Sequence, residues 1–492
     1  MPADNLLTLD VGTSSLKAAL YDAIGNLLAK ASADYPLHYP KPGWAEQNPQ
    51  DWWKACCTAC RVILSRKVGP VRGICVSGQA PGCVPIDRQG SPLRPAILWL
   101  DRRAAPQVDW LVQHLGLEET LRTSANTLDS YFGGVKWLWY RQNEPENYTA
   151  TWKILQANGY VLYQLTGKAV TDPSHAGICS PCFDFGNQIW SEVTCEQMGI
   201  DMEKLPMIAP SIAQVGTVTP EAAQATGLPA GVPVFCGGAD FACSCLGSGV
   251  LGSGSVSLML GTAGNLMFPA APRTDPRLLN TIHVTGDILS CGGVLAGAAV
   301  NWFGEMLKID MPDLYGTLDR EAADIPPGAE GLVFLPYLMG ERSPIWDPHA
   351  RGAYIGLLAT HGRAHLYRAV LEGVAFAFRQ MLEILKENGA LVNEIVAING
   401  GARSLLWRQI LADVLQVPIR WRPTKDGTTL GGAYLAALGA GLFNRFEDIT
   451  AWLEPTIDTF PNLANVDIYQ RRYAVYAGLY DKLKSDFLAL RQ

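Results

Sequence analysis

A chain of 492 residues with 48% hydrophobic and 17% charged residues has length and apolar content for two cores, which argues for a globular two-domain protein. A net charge of −7 argues against nucleic-acid binding, which depends on a basic stripe. The opening MPADNLLTLD shows no basic start followed by an apolar run, so a cytoplasmic protein is expected, with its twelve cysteines as reduced thiols.

The first elements read as a hairpin run. Residues 6–10 form a strand ending in a glycine-serine turn, 16–22 a second strand, Gly25-Asn26 a turn and 27–35 a third strand. Residues 52–64 have helical character, and 71–77 return as a strand before another glycine turn. Strands in a run followed by helices predict a mixed sheet. Cys56, Cys57 and Cys60 crowd the helix, and Cys179 and Cys182 form a CxxC; neither group has zinc-ligand spacing, so both read as structural thiols. The uncharged stretch from 241 to 272 is long enough to span a bilayer, but its glycines and serines suit turns between buried strands better.

The second half repeats the plan in outline. Residues 255–261 form a strand ending at Gly261-Thr262, followed by strands at 265–268 and 288–291. A long helix over 365–388, a strand over 394–398 and Gly400-Gly401 ahead of a helix over 405–415 complete it. Two halves that each place a Gly-Thr turn after a strand suggest two related domains, here 1–248 and 249–492, facing one nucleotide.

Four segments carry chemistry. In Asp10-Val11-Gly12-Thr13-Ser14-Ser15 with Lys17, a carboxylate ends a buried strand and a glycine turn follows. The turn's amides and hydroxyls can surround phosphate oxygens, and Asp10 can hold magnesium through water. The plainer reading is a hairpin turn with a solvated Asp. Gly261-Thr262-Ala263-Gly264 offers the same chemistry from the second half, and Asn399-Gly400-Gly401-Ala402-Arg403-Ser404 would let a flat base approach the backbone. In Gly237-Gly238-Ala239-Asp240-Phe241, an Asp follows an apolar strand at the junction of the halves. Phosphoryl transfer needs positioning, charge neutralisation and a carboxylate to take the hydroxyl proton, which suits Asp240; the alternative is a helix N-cap. Gly247 to Gly252 formally matches GxGxxG but lacks the acidic residue of a dinucleotide site, and no GxxxxGK[ST] occurs.

These segments resemble those of the FGGY carbohydrate kinases, and the likeness spans nearly the whole chain. LTLDVGTSSLKAALYD resembles the first phosphate segment, and Tyr131 to Trp139 approximates the first family signature, with Gly133 where that pattern has Pro, Ser or Thr. Gly352 to Leu357, continuing through His365 and Ala369 to Glu372, matches the second. PYLMGERSPIWDPHARGAYIGL, GGARSLLWRQILADVLQVPI and TLGGAYLAALGAG are especially similar to xylulokinases. The resemblance implies two actin-like, ribonuclease-H-like ATPase domains of α/β class, with mixed sheets around an interdomain cleft. It implies Asp240 as catalytic base and Asp10 as the magnesium-associated carboxylate. Gly12, Thr13, Ser14 and Lys17 fall to the first phosphate segment and Gly261 and Thr262 to the second; Gly297 and Asn301 become further nucleotide contacts, and Gly400, Gly401 and Ala402 the adenosine segment. ATP, Mg²⁺ and a sugar are the implied ligands, and dimers are common in the family.

The likeness thins at the sugar. Ala80 and Pro81 stand where many xylulokinases carry Met-His and glycerol kinases Arg-Glu, Leu100 replaces an Asn, and Phe241 replaces another. Gln79, Trp99, Asp101 and Asp240 remain as contacts, with Ala80, Pro81 and Phe241 lining the same place. Losing polar readers argues against glycerol and leaves a D-xylulose-type ketose ahead of another pentulose, polyol or sugar acid. An actin-like assembly protein and a catalytically weak sugar sensor are the readings of another class. The first has no need of Asp240 or the Trp99–Asp101 pair; the second shares every motif.

Overall fold

The computed structural model describes residues 4–67, 69–308, 311–423 and 426–490. The strand Asn5–Val11 alternates its side chains, as a period of two requires. Leu7 and Leu9 enter a core with Trp52, Ala55, Cys56, Ala59, Cys60 and Ile63 of the helix Pro49–Leu64. Those six positions recur at helical spacing and form one apolar stripe, which is why two of the three clustered cysteines sit there. The helix starts three residues before its predicted start because Asn48 caps it, accepting from Gln50 N, and Pro49 fits its first turn. Thr8 points the other way, toward the helix Gly427–Gly439, where a Cβ on Gly432 would lie 2.4 Å from Thr8 Oγ1. Asp10 shares the parity of Thr8 and so belongs to that second face.

The chain forms two units. The first comprises Met1–Leu251, Asn280–Leu289 and Asp426–Leu453; the second comprises Gly252–Leu279, Ser290–Lys425 and Glu454–Gln492. In the first, Leu27–Asp34, Ser15–Tyr21 and Asn5–Val11 form the expected antiparallel run. Val71–Gly78 joins Asn5–Val11 in parallel, Pro233–Phe235 joins it in parallel, and Gln214–Thr217 closes the edge antiparallel. In the second, Ala263–Pro269 pairs antiparallel with Gly254–Leu260, which pairs in parallel with Val392–Ile398. Ile419–Trp421 follows in parallel and Ile457–Thr459 closes antiparallel. Five strands thus repeat one pattern (antiparallel, parallel, parallel, antiparallel) in both units, and both sheets are mixed as predicted.

Tertiary packing moves some sequence boundaries. The segment Asp426–Leu453 packs with the first unit despite its late position, because glycines at 431 and 432 let its helix lie against the strands and the helix Asp240–Gly247. The stretch 241–272 forms that helix and the hairpin Gly254–Leu260 with Ala263–Pro269, and no described helix is long and apolar enough to cross a membrane. All twelve cysteines are free and all but Cys57 are buried.

Candidate active site

Sheet register builds the first cluster. Asp10 lies opposite Lys17 on one neighbouring strand and Ser77 on the other. Ser77 Oγ donates to Asp10 Oδ1 at 3.2 Å, and Lys17 Nζ stands 4.0 Å from Asp10 Oδ2. Lys17 is held closer by Asp426, at 3.3 Å. Asp426 is the N-cap of the helix Gly427–Gly439, accepting from Thr429 N. Asp10 is 3% exposed, and burial, reinforced by the charges of Asp240 and Asp426, pushes its carboxyl up to about 7. Burial works to lower the Lys17 ammonium, but Asp426 and Asp10 outweigh it and hold its pKa above the usual value.

Asp240 is the first residue of the helix Asp240–Gly247, capped by Ala239, and is partly exposed. Its Oδ1 accepts from Phe241 N at 2.7 Å. Burial raises its pKa above the ordinary carboxylate value, against the Phe241 amide and the charges of His175 and Lys17. It therefore sits at a helix start, as the plainer reading had it, but at the first helical position, with Asp10 near enough to feel its charge.

The glycine turn is pinned from below. Tyr35 Oη donates to Gly12 O at 2.6 Å, Gln47 Nε2 to Thr13 O at 2.7 Å and Trp99 Nε1 to Thr13 Oγ1 at 3.1 Å. Ser14 is exposed beside them. Gln79 Nε2 donates to Gly12 O and to Gln47 Oε1, which leaves Gln79 Oε1 buried with no protein donor among the described residues. Trp99→Phe removes the bond to Thr13 Oγ1, worth about 1 kcal/mol. Steady-state kinetics are expected to show a roughly fivefold lower kcat/KM, with a melting temperature lower by no more than about 4 °C; an unchanged kcat/KM would show that this bond does not matter.

Ala80 and Pro81 are buried, and Tyr131 Oη donates to Ala80 O at 3.2 Å. Tyr131 is set by the buried Lys136, whose Nζ donates to the carbonyls of Ser130 and Tyr131 at 2.5 and 2.6 Å. Gly133 departs from the family signature for a local reason: a Cβ there would lie 2.9 Å from Cys179 Sγ. Asp101 is placed differently from an open contact. It is wholly buried, its Oδ2 takes Ala45 N and its carboxylate grips Arg103, so both oxygens hold the loop that carries Trp99.

The second unit brings Gly261, Thr262 and Gly297 together. Gly297 N donates to Gly261 O and Ala298 N to Thr262 O, both at 2.9 Å, and a Cβ on Gly297 would meet Gly261 O at 2.4 Å. Thr262 and Asn301 are exposed. Gly400 and Gly401 form a tight turn before Leu405–Leu415, with Gly400 exposed; Ala402 is buried and gives only backbone. Sequence reading missed Asp426, and it placed Tyr131 in the family signature without a role at the site. Asp426 did carry a signal, an Asp directly before a glycine-led apolar helix.

Two mixed sheets of one plan, each ending a strand in a Gly-Thr turn, define the actin-like ATPase class of fold. Comparison with known proteins narrows it. Residues 5–247 match the N-terminal domain of the FGGY family of carbohydrate kinases and residues 256–440 its C-terminal domain. A xylulose kinase of Staphylococcus xylosus is 32% identical over 97% of this chain and 99% of its own. The crystal structure of xylulose kinase from Rhodospirillum rubrum superposes with a TM-score of 0.91 at 33% identity, covering 98% of this chain and 99% of that one. That of gluconate kinase from Lactobacillus acidophilus gives 0.94 at 26%, covering 99% and 100%. The chain belongs to the FGGY family of carbohydrate kinases, enzymes for which ATP is the expected phosphoryl donor.

Proposed function

We propose that this kinase transfers the γ-phosphoryl group of ATP to a primary hydroxyl of D-xylulose, giving D-xylulose 5-phosphate. The observation that carries the chemistry is Asp240, partly exposed at a helix start, with the buried Asp10 near enough to feel its charge and the exposed Lys17 acting on both. Asp240 accepts the proton of the attacking hydroxyl as its oxygen bonds to phosphorus and the bond to ADP breaks. Gln79 Oε1, a buried acceptor with no donor among the described residues, is suited to a sugar hydroxyl, because such a group is costly until paired. Trp99, Ala80, Pro81 and Phe241 shape that end, while Asp101 acts through the loop it anchors.

The amides and hydroxyls of Gly12, Thr13 and Ser14, with Lys17, are assigned to phosphate, as are Gly261 and Thr262 in the second unit. Gly297, Asn301, Gly400, Gly401 and the backbone of Ala402 are assigned to the nucleotide. Magnesium fits Asp10: two further carboxylates press on a buried one that Ser77 and Lys17, 4.0 Å away, offset only in part. No described cluster of three or more His, Cys, Asp or Glu could cage a metal, which agrees with an ion held mainly by phosphate and water. When bound, it supplies neutralisation of charge on phosphate oxygens.

Coupled ADP release across D-xylulose, other pentuloses, gluconate and glycerol tests the substrate. The highest kcat/KM is expected with D-xylulose and none with glycerol. Turnover confined to gluconate or another substrate would keep the kinase and remove D-xylulose. ATP binding without turnover of any of them would favour the sensor reading.

A further inference from the structure

Gln47 ends the two-residue strand Glu46–Gln47, which pairs antiparallel with Ala96–Ile97, and it is 1% exposed. A buried side-chain amide is costly unless its donors and acceptor are met. Here they are met by groups that matter to the site. Gln47 Oε1 accepts from Trp52 Nε1 and from Gln79 Nε2, each at 3.0 Å, and Gln47 Nε2 donates to Thr13 O at 2.7 Å.

The polarity of this chain of bonds is fixed at both ends. An indole N–H only donates and a backbone carbonyl only accepts. Turned over, the Gln47 amide would set its hydrogens against Trp52 Nε1 and its oxygen against Thr13 O. Gln47 Oε1 is therefore an acceptor, and Gln79 must offer it a hydrogen. The second hydrogen of Gln79 goes to Gly12 O at 3.2 Å. Both hydrogens are then spent, and Gln79 Oε1 is left buried with no donor among the described residues. Trp52, a core residue, thus decides through one amide that Gln79 presents an acceptor and no donor.

The same amide acts on the glycine turn. The N–H and C=O of a planar trans peptide point to opposite sides. Gly12 O is drawn to Tyr35 Oη and Gln79 Nε2, and Thr13 O to Gln47 Nε2. The hydrogens across those two peptides, on Thr13 N and Ser14 N, are therefore turned the other way. Carbonyl oxygens would repel an anion, so holding them on one face leaves the opposite face to amide hydrogens, as phosphate requires.

We propose that Gln47 is a positioning residue for phosphoryl transfer, one amide that aims the Ser14 N–H at phosphate and sets Gln79 Oε1 as the acceptor for a sugar hydroxyl. Gln47 gives up no proton and acts through these two neighbours. The proposal deepens the function above and rests on its assignment of Gly12 to Ser14 to phosphate and of Gln79 to the sugar.

The experiment is steady-state kinetics of the full chain, with ATP and its best sugar varied separately, well below the melting temperature. The variants are Gln47→Met, Gln47→Asn, Gln79→Met and the double change Gln47→Met with Gln79→Met. Gln47→Met keeps the volume and loses every bond; Gln47→Asn keeps an amide one carbon too short to hold its three partners. Both are expected to raise the sugar KM about tenfold and to lower kcat about tenfold. Gln79→Met should raise the sugar KM at least as much. In the double variant the sugar KM should rise no further, because nothing is left at 79 to position, while kcat still falls about tenfold through Thr13. A Gln47→Met enzyme that behaves like the original, with only Gln47→Asn impaired, would mark a packing role and overturn the proposal. So would sugar KM effects that multiply in the double variant. A sugar KM unmoved by Gln79→Met would place the fault in Gln79 as a sugar contact, and the proposal falls with that reading. Should Gln47→Met not fold, Gln47→Asn alone and with Gln79→Met gives the same comparison: multiplying sugar KM effects, or a kcat within about twofold of the original, overturn it.

Discussion

Asp240→Asn is expected to lower kcat about 10³-fold while the sugar KM changes only a few-fold, the pattern of an interaction made mainly in the transition state. The substitution is nearly isosteric, and the amide oxygen can still accept from Phe241 N, the bond now made by Oδ1. What it removes is a proton acceptor. Burial raises the Asp240 pKa, so the folded protein disfavours the charged form relative to the open chain, and neutralising it should leave the melting temperature equal or higher. Loss of activity with retained stability would mark a residue kept for chemistry against the interest of the fold. Stopped-turnover kinetics and a thermal melt on the same preparation decide it: a kcat within tenfold of the original would remove Asp240 from the reaction.

How much of this was legible depends on how far apart the partners lie in sequence. The hairpin run was readable because strands of period two alternate with glycine turns, and the observed Asn5–Val11, Ser15–Tyr21 and Leu27–Asp34 differ from their predicted bounds by one residue. Leu405–Leu415 coincides with its predicted span, because Ser404 caps it and accepts from Trp407 N. Asp10 and Asp240 were readable because each follows or precedes glycines at a strand end. Asp426 was readable only as a helix cap, since its partner Lys17 is 409 residues away and no local pattern records such a contact. Asp101 looked like a sugar contact for lack of information about Arg103, two residues on, whose side chain is equally buried and takes both its oxygens. Composition and spacing reveal that a carboxylate is present, whereas the groups that occupy its lone pairs are set by tertiary packing.

Gly431→Ala should be the more damaging change for stability. The helices Asp240–Gly247 and Gly427–Gly439 cross where neither has a side chain: a Cβ on Gly431 would lie 2.0 Å from Cys243 O, and one on Gly247 would lie 1.9 Å from Gly427 O. Both obstacles are backbone, so no rotamer change can relieve them and the helices must part by more than an ångström. Overpacking of this kind costs about 3 kcal/mol, and a melting temperature lower by roughly 5–10 °C is expected. Gly252→Ala is the control, because nothing lies within 4 Å of the added methyl and its φ is ordinary; it should melt as the original does. Activity should fall as well as stability, because the crossing joins the helix begun by Asp240 to the helix capped by Asp426, with Thr428 Oγ1 donating to Asp240 O at 3.4 Å. Parting them shifts Asp426 from Lys17 and Lys17 from Asp10, so the carboxylate cluster loosens even in molecules that remain folded. Kinetics well below the melting temperature separate the two effects. A variant that melts early but turns over normally in the cold would mean that the crossing supports the fold without setting the geometry of the site.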